Sequence, residues 1–407
     1  MYSALPPAST PMAHPGVGET LTSTGREGLV TSMTARPAEP ANGCNLKREA
    51  IHMKTQLFAA LLAMIYATSL SAQPEANQTK AKCAKYLQTP LPPEASSIAS
   101  PKTWPDCNSY RLYSGIGVTV DYSAARNCAW AERLAIQTGI ESEYTVASVF
   151  GGSAMLSVLY ANGEGVKKNL PLAIRFACEQ GGAEAEIEDR IRHLESLRDK
   201  PAAPGSKFRS CDDMTSFIMM GYCSAYDKEL TDQKRTGDLR ALSSAWLQTQ
   251  QTAFNALVQT EQAYSEAHGE WEIDASGLLR AANEIGAEQN LRDKFLKALR
   301  SFEKGDLPHG SADDFAKADA RLNALYRKVL ASAEEHKSDL GAVQPKGVRT
   351  AERAWLKYRD AWVVFAKLRY PSVSPESWLT LLTADRIAVL KDTSCEITHD
   401  PPPCGDR

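Results

Sequence analysis

Apolar residues recur at helical spacing through nearly all of the chain after residue 211. Between Leu239 and Tyr264, and again between Leu278 and Phe302, they fall on one face of a helix. Two later stretches show the i, i+3, i+4, i+7 pattern and a near-heptad repeat, respectively: Leu322, Leu325, Tyr326, Val329, and then Val348, Ala351, Trp355, Tyr358, Trp362, Phe365. Pro375 opens a last short helix. Because no alternating strand pattern competes, we predict an all-α bundle of five or six helices.

A different pattern precedes this region. Gly115-Ile-Gly-Val118 and Gly163-Glu-Gly-Val166 repeat the same glycines and valine. Glycine permits the left-handed turn that ends one helix, and Asp121 or Asn169 can cap the next helix. Self-similarity of this kind is typical of helical repeats. The predicted fold is therefore all-α: a helix-hairpin, repeat-like module followed by a helical bundle, stapled by disulfides.

The second copy of this pattern carries a family resemblance. It reads Ala154-Met-Leu-Ser-Val-Leu-Tyr-Ala-Asn-Gly-Glu-Gly-Val-Lys-Lys-Asn-Leu-Pro-Leu-Ala173 and continues as Glu179-Gln-Gly-Gly-Ala-Glu-Ala185. This segment resembles the Sel-one-like repeats, which are relatives of tetratricopeptide repeats, over roughly residues 107–198. The resemblance implies a helical scaffold, which is either a docking surface or a small stapled cap. Two repeats are fewer than such arrays need alone, so disulfides or the next domain must stabilise them.

The start of the chain has the features of a secretory signal peptide preceded by an additional N-terminal segment. Residues 1–52 are rich in Pro, Ser, Thr and Gly and are predicted to be disordered. Met53-Lys54, an apolar run and small residues up to Ala72 have the features of a secretory signal peptide. Translation is therefore expected to start at Met53, a genuine long leader being the alternative. The apolar run is too short to span a bilayer, so no stable membrane span is expected after cleavage.

Composition shifts then divide the rest of the chain. Residues 73–106 are irregular and Pro-rich, and residues 107–199 form the repeat-like module. Residues 200–208 are rich in Pro, Ala and Gly, which break any helix, so we predict that this segment is a linker between domains. Residues 209–396 form the helical domain, and residues 397–407 a tail.

Charge and histidine content exclude several functions. The formal net charge is −3, which gives no field that attracts a polyanion, so no nucleic-acid partner is expected. No two histidines have metal-ligand spacing, and no cofactor is expected. Asp212-Asp213 and Asp313-Asp314 sit at helix starts, where capping explains them. Since no placed acid, base or nucleophile stands out, the protein is predicted not to be an enzyme.

Cysteines indicate an oxidising compartment. One of the nine, Cys44, precedes the predicted cleavage site. An even set in an exported chain predicts disulfides, and it comprises Cys83, Cys107, Cys128, Cys178, Cys211, Cys223, Cys395 and Cys404. One unbroken helix from Cys211 to Cys223 would hold their Cα atoms about 18 Å apart, and a disulfide needs less than about 7 Å. Either the helix is broken between them or each pairs elsewhere.

The bundle region carries the second resemblance. Asp319-x-x-Leu322-Asn323-x-x-Tyr326 precedes Arg349-x-Ala351-Glu-Arg353-Ala-Trp355-Leu-x-Tyr358-Arg359-Asp360-Ala361, and Cys211-x-x-x-Thr215 with Cys223 lies upstream. This order resembles the LprI-type lysozyme-inhibitor family. The resemblance implies a periplasmic or secreted envelope protein that binds lysozyme. Two departures are an insertion at about residues 233–308 and Trp362-Val363-Val364 in place of an expected cysteine. The insertion contains Ala245-Trp246-Leu247, which echoes Ala354-Trp355-Leu356 and suggests a decayed duplication.

Arg353, Arg359 and Asp360 are the candidate partner-binding residues. Arginine can bind acidic groups of a partner bidentately, but the same charges can form ion pairs that hold the bundle. Trp355 and Trp362 are predicted to pack in the core. The leading functional hypothesis is an envelope binding protein that occludes lysozyme. The alternatives are a periplasmic scaffold for envelope proteins and, third, an enzyme acting on cell-wall glycans.

Overall fold

The computed structural model describes residues 78–96, 107–139, 149–199 and 207–398. Predictions for residues 1–52, for the signal peptide 53–72 and for Cys404 fall outside these ranges. Twelve helices are numbered here: α1 (78–86), α2 (Ser109–Ser114), α3 (Tyr122–Gln137), α4 (Gly152–Asn162), α5 (Leu170–Gln180), α6 (Glu184–Asp199), α7 (Phe217–Ser243), α8 (Gln248–Trp271), α9 (Arg280–Phe302), α10 (Ala312–His336), α11 (Pro345–Arg369) and α12 (Pro375–Thr398). Short 3₁₀ turns lie at Pro93–Ser96 and Ser210–Asp213.

The described residues contain helices and no strands, so the predicted all-α class is confirmed. Six of these helices, α7 to α12, occupy the predicted bundle region, as expected. None of the helices in the described ranges combines the length and apolarity needed to cross a membrane.

The first part of the chain forms helix hairpins of the predicted kind. Asp121 and Asn169 cap α3 and α5, each through a side-chain oxygen that accepts from a backbone N–H three residues later. Gly115 and Gly163 end α2 and α4 in the left-handed region, with φ of 74° and 73°. These helices bury one core, to which Trp130, Leu156, Leu159, Ile174 and Phe176 contribute. The Sel-one-like relationship itself stays a prediction.

Disulfides staple this core at several points. The bonded pairs are Cys83–Cys178, Cys107–Cys128 and Cys211–Cys223, and Cys395 is also disulfide-bonded. Cys211 lies in a 3₁₀ turn, and an extended segment connects this turn to α7, so the Cα atoms of Cys211 and Cys223 are 5.8 Å apart. Of the two geometries left open by the spacing, the broken helix is correct.

Helix α7 connects the two halves of the protein. Its N-terminal part covers the first core, where Tyr226 stacks on Phe150 with ring centroids 4.9 Å apart and packs edge-on against Tyr110. Glu186 of α6 accepts hydrogen bonds from the backbone N–H groups of Thr215 and Ser216, at 2.8 and 2.6 Å. Further along, Leu239 enters the core of the bundle. The following helix therefore packs on the short module and contributes to its stability.

The bundle consists of two three-helix units, α7–α8–α9 and α10–α11–α12. In the first unit α7 and α9 run parallel. This direction is shown by two ion pairs: Asp232 pairs with Arg292 at 2.8 Å, and Asp238 pairs with Arg300 at 2.9 Å, further along both helices. In the second unit α10 and α12 also run parallel. Their starts are joined where the Ser377 hydroxyl donates to the Gly310 carbonyl at 3.1 Å.

The middle helices of the two units pack against each other in antiparallel fashion. The ring centroids of Tyr264 and Tyr358 are 5.5 Å apart, and those of Phe254 and Phe365 are 5.3 Å apart. Near one end Gly347 is required, because an added Cβ would lie 2.9 Å from the ring of Trp271. Each unit thus contains a parallel pair of helices, and the α8–α11 contact joins the two units.

The predicted insertion at residues 233–308 is helical, as its apolar spacing indicated, and it supplies the end of α7 and all of α8 and α9. Trp246 precedes α8 whereas Trp355 lies in the middle of α11, so the repeated Ala-Trp-Leu does not occupy equivalent places in the two units.

The last helix is long rather than short, since it runs from Pro375 to Thr398. The expectation was wrong because the apolar series Trp378, Leu382, Leu390 is interrupted by Arg386. That arginine is nevertheless buried, with no exposed side-chain surface, and its neutralising partners come from distant parts of the chain.

Candidate functional site

The motif residues of α10 and α11 divide between two faces. Leu322, Ala351, Trp355 and Trp362 are buried in the bundle core, which confirms the prediction for both tryptophans. Other motif residues line a surface groove of about 320 Å³ between the two helices, and the buried Leu322 and Trp355 also contribute to its lining. Its lining consists of Asp319, Leu322, Asn323 and Tyr326 from α10 and of Arg349, Glu352, Arg353, Trp355, Leu356 and Arg359 from α11. We call it the α10–α11 groove.

Helical spacing explains why these side chains meet. Asp319 and Asn323 are four residues apart on α10, and Arg349 and Arg353 are four residues apart on α11, so each pair shares a face of its helix. Asn323 Nδ2 donates to the Asp319 carboxylate at 2.9 Å. The acidic side of the groove is thereby held within its own helix rather than extended toward the arginines.

Of the three predicted partner-binding residues, Arg359 and Asp360 pair with each other. Arg359 donates through Nε and Nη2 to one Asp360 oxygen at 3.0 and 2.7 Å. Its guanidinium carbon lies 5.4 Å from the centroid of the Trp355 ring, within the range of a cation–π contact. These contacts match the ion-pair interpretation of the two charges, and the use of either residue in partner binding stays a prediction.

Arg353 differs from Arg359. Its side chain is exposed, and its one described hydrogen bond is the donation from Nη2 to the Thr350 hydroxyl at 3.1 Å. Arg349, one turn earlier, is also exposed. Neither arginine forms an ion pair with any residue that the structure describes. The groove therefore presents two adjacent guanidinium groups to solvent.

A buried charge network lies beneath the groove. Arg386 of α12 donates to the two oxygens of Glu272 at 2.8 and 2.6 Å and through Nε to Glu352 at 2.9 Å. His268 Nδ1 lies 3.0 Å from Glu272, and the Tyr264 hydroxyl lies 3.3 Å from Arg386. Since Glu352 also lines the groove, this network connects its floor to α8 and α12.

The charges of this network perturb one another. Burial opposes ionisation of Glu272, but the charge and hydrogen bonds of Arg386 outweigh it and lower the pKa of Glu272. Glu352 shows the opposite balance: burial raises the pKa of this carboxyl group, and Arg386 only partly offsets that rise. Removing Arg386 would leave two carboxylates buried without their cation.

Arg386 and Arg349 were not among the candidate residues predicted from the sequence. Arg386 stands four residues from Leu382 and from Leu390, so a charge in the middle of an apolar series was the available signal. Arg349 opens the motif that carried the resemblance. Within the described residues, no group of three or more His, Cys, Asp or Glu side chains is arranged to hold a metal ion.

Comparison with known protein families gives one match. Residues 310–390 match the model of the family described as lysozyme inhibitor LprI. This segment begins just before α10 and ends within α12, so it corresponds to the second three-helix unit and contains the groove. No curated protein matches the chain. No solved structure matches it either.

Proposed function

We propose that this protein is an exported envelope protein that binds lysozyme and inhibits it by covering its substrate cleft. The observation that carries the proposal is the family match at residues 310–390, which falls on the unit that builds the α10–α11 groove. Inhibition by occlusion needs a complementary surface and no catalytic group or cofactor.

The disulfides support an extracytoplasmic location. Three bonded pairs are described, and Cys395 is bonded as well. Disulfides persist in oxidising compartments and are rare where thiols are kept reduced. We place the protein in the periplasm or outside the cell, in keeping with the signal peptide predicted at residues 53–72.

An inhibition assay tests the proposal. The oxidised, exported protein is titrated into lysozyme with a peptidoglycan substrate, and complex formation is measured in parallel. We expect inhibition that rises in step with complex formation. An absence of both at micromolar concentration would contradict the function.

A matched pair of variants tests the surface. Asn323→Trp places a bulky side chain in the groove, whereas Ala324→Trp places the same side chain at an exposed neighbour that does not line it. Inhibition should weaken for Asn323→Trp and persist for Ala324→Trp. Equal losses would place the contact surface elsewhere.

The scaffold alternative receives less support from the packing. Tyr226 of α7 already covers the face of the repeat-like module that contains Tyr110 and Phe150. A partner could use that face only by displacing α7. If the lysozyme assay fails, affinity capture from an envelope extract tests the scaffold function, and glycan turnover by the protein alone tests the enzymatic one.

A further inference from the structure

We infer that Arg349 and Arg353 form a receptor for a pair of carboxylates, and that their target is the acidic pair that flanks the scissile bond in the cleft of a glycosidase. The inference rests on the proposed function and names the chemistry that the groove recognises.

The first observation is that two like charges share one face of α11. Arg349 and Arg353 are four residues apart, where the Cβ atoms of a helix are about 5–6 Å from each other. Like charges at this spacing destabilise a helix by a few tenths of a kcal/mol, about 0.2–0.5. No ion pair to a described residue relieves this repulsion, so the pair does not contribute to stability in the way Arg386 does.

A second observation concerns the acids that lie nearest. Asp319, across the groove, accepts a hydrogen bond from Asn323, and Glu352, beneath it, is held by Arg386. Neither carboxylate lies within the 4.0 Å ion-pair distance of either exposed arginine. Since Arg359 is neutralised by Asp360 next to it, Arg349 and Arg353 are the groove cations left to bind an external anion.

The geometry of two arginines suits a ligand with two carboxyl groups. A guanidinium presents a planar fork of N–H donors that binds a carboxylate through two parallel hydrogen bonds. Retaining glycosidases hold two carboxyl groups about 5–5.5 Å apart across the scissile bond. This separation is close to the spacing of the Cβ atoms from which the two arginine side chains extend, and each guanidinium fork can bind one carboxyl group.

The rest of the groove suits such a partner. Tyr326 and Leu356 line it beside the charges, and Trp355 lies at its base. Aromatic and apolar groups around an arginine exclude water, which strengthens the ion pairs that form there. Docking of the arginines on the catalytic carboxyl groups would exclude substrate directly, so binding and inhibition would have one cause.

The test uses two double variants with the same change in charge. Arg349→Gln/Arg353→Gln removes the proposed receptor, and Lys357→Gln/Lys367→Gln removes two exposed charges of α11 that lie outside the groove. Affinity is measured by calorimetry against egg-white lysozyme and against its variant in which the catalytic glutamate is glutamine. Thermal unfolding and circular dichroism verify that all variants are folded.

We expect the arginine variant to bind native lysozyme about 10- to 100-fold more weakly than the wild type, and the lysine variant to change affinity by less than about threefold. The loss caused by the arginine variant should shrink against the glutamine form of lysozyme, since the two changes remove one contact.

The outcomes separate the two proposals. If the wild type binds and inhibits but the arginine variant does so equally well, the receptor is overturned while the inhibitory function stands. The receptor is also overturned if the arginine variant loses the same affinity toward both lysozymes, because its contact then lies outside the catalytic pair. If the wild type binds no lysozyme, both proposals fail.

Discussion

Glu261 carries a carboxyl group that is buried inside the bundle. We predict that replacing it by glutamine changes how the free energy of unfolding depends on pH. The residue is 3% exposed, its Oε2 atom lies 3.9 Å from Arg292 Nε, and its Oε1 atom has no hydrogen-bond partner among the described residues. Burial raises the pKa of Glu261 to about 7. Arg292 and Arg235 oppose the rise, while Glu288 and Asp232 add to it.

The sign of the effect follows from proton binding. Because the folded protein holds this proton more tightly than the unfolded chain, the folded state binds more protons between pH 4.5 and about pH 7. Stability contributed by the protonated group is therefore lost as the pH rises. A tenfold change in proton affinity is worth about 1.4 kcal/mol, so the rise from 4.5 to about 7 corresponds to about 3 kcal/mol in total. Between pH 5 and pH 8, about 2.5 kcal/mol of this is lost.

Urea unfolding at pH 5 and pH 8, with the disulfides intact, measures this difference. The wild type should lose about 2.5 kcal/mol more than Glu261→Gln on going from pH 5 to pH 8. Glu266→Gln, an exposed position on the same helix, is the control and should follow the wild type. Parallel pH profiles for the wild type and Glu261→Gln would refute the reasoning, whatever their absolute stabilities.

Three further predictions concern stability. Arg386→Met should lower the free energy of unfolding by about 3–5 kcal/mol, since it leaves the buried carboxylates of Glu272 and Glu352 without their arginine partner. A loss below about 1 kcal/mol in thermal unfolding would contradict this. Removing the Cys83–Cys178 bond by double serine substitution should lower the free energy of unfolding by about 4.7 kcal/mol, against about 3 kcal/mol for Cys211–Cys223, because the Cys83–Cys178 bond closes the longer loop. Urea titrations measure both losses, and the reverse order would count against loop entropy as the cause. Tyr226→Ala should expose the joint between α7 and the module to limited proteolysis, whereas Tyr226→Phe, which keeps the ring contacts, should remain resistant.

Local features of the fold were predictable because their causes lie within a few residues. The caps at Asp121 and Asn169 and the left-handed glycines at 115 and 163 depend on the chain immediately around them. Apolar spacing likewise placed Trp355 and Trp362 in the core. For the same reason the motif of α10 and α11 was recognisable, and the family match at residues 310–390 falls on it.

Pairing between distant elements was not predictable in this way. The eight candidate cysteines could not be assigned to pairs from the sequence, because disulfide connectivity depends on which helices meet. The full length of α12 was not predictable, because Arg386 interrupts its apolar series and is neutralised in the core by Glu272, 114 residues away along the chain.

Residue order alone was enough to predict the helical class, the repeat-like turns, the buried tryptophans and the family resemblance of the second unit. These properties follow from hydrophobic spacing and backbone preference, which act over one or two turns of helix. The tertiary structure decided that α7 covers the module, that residues 233–308 complete a two-unit bundle, and that Arg359 is paired while Arg349 and Arg353 are open to solvent. Such distinctions depend on where separate helices pack, because the pairing of a charge is fixed by its neighbours in space rather than by its neighbours in sequence.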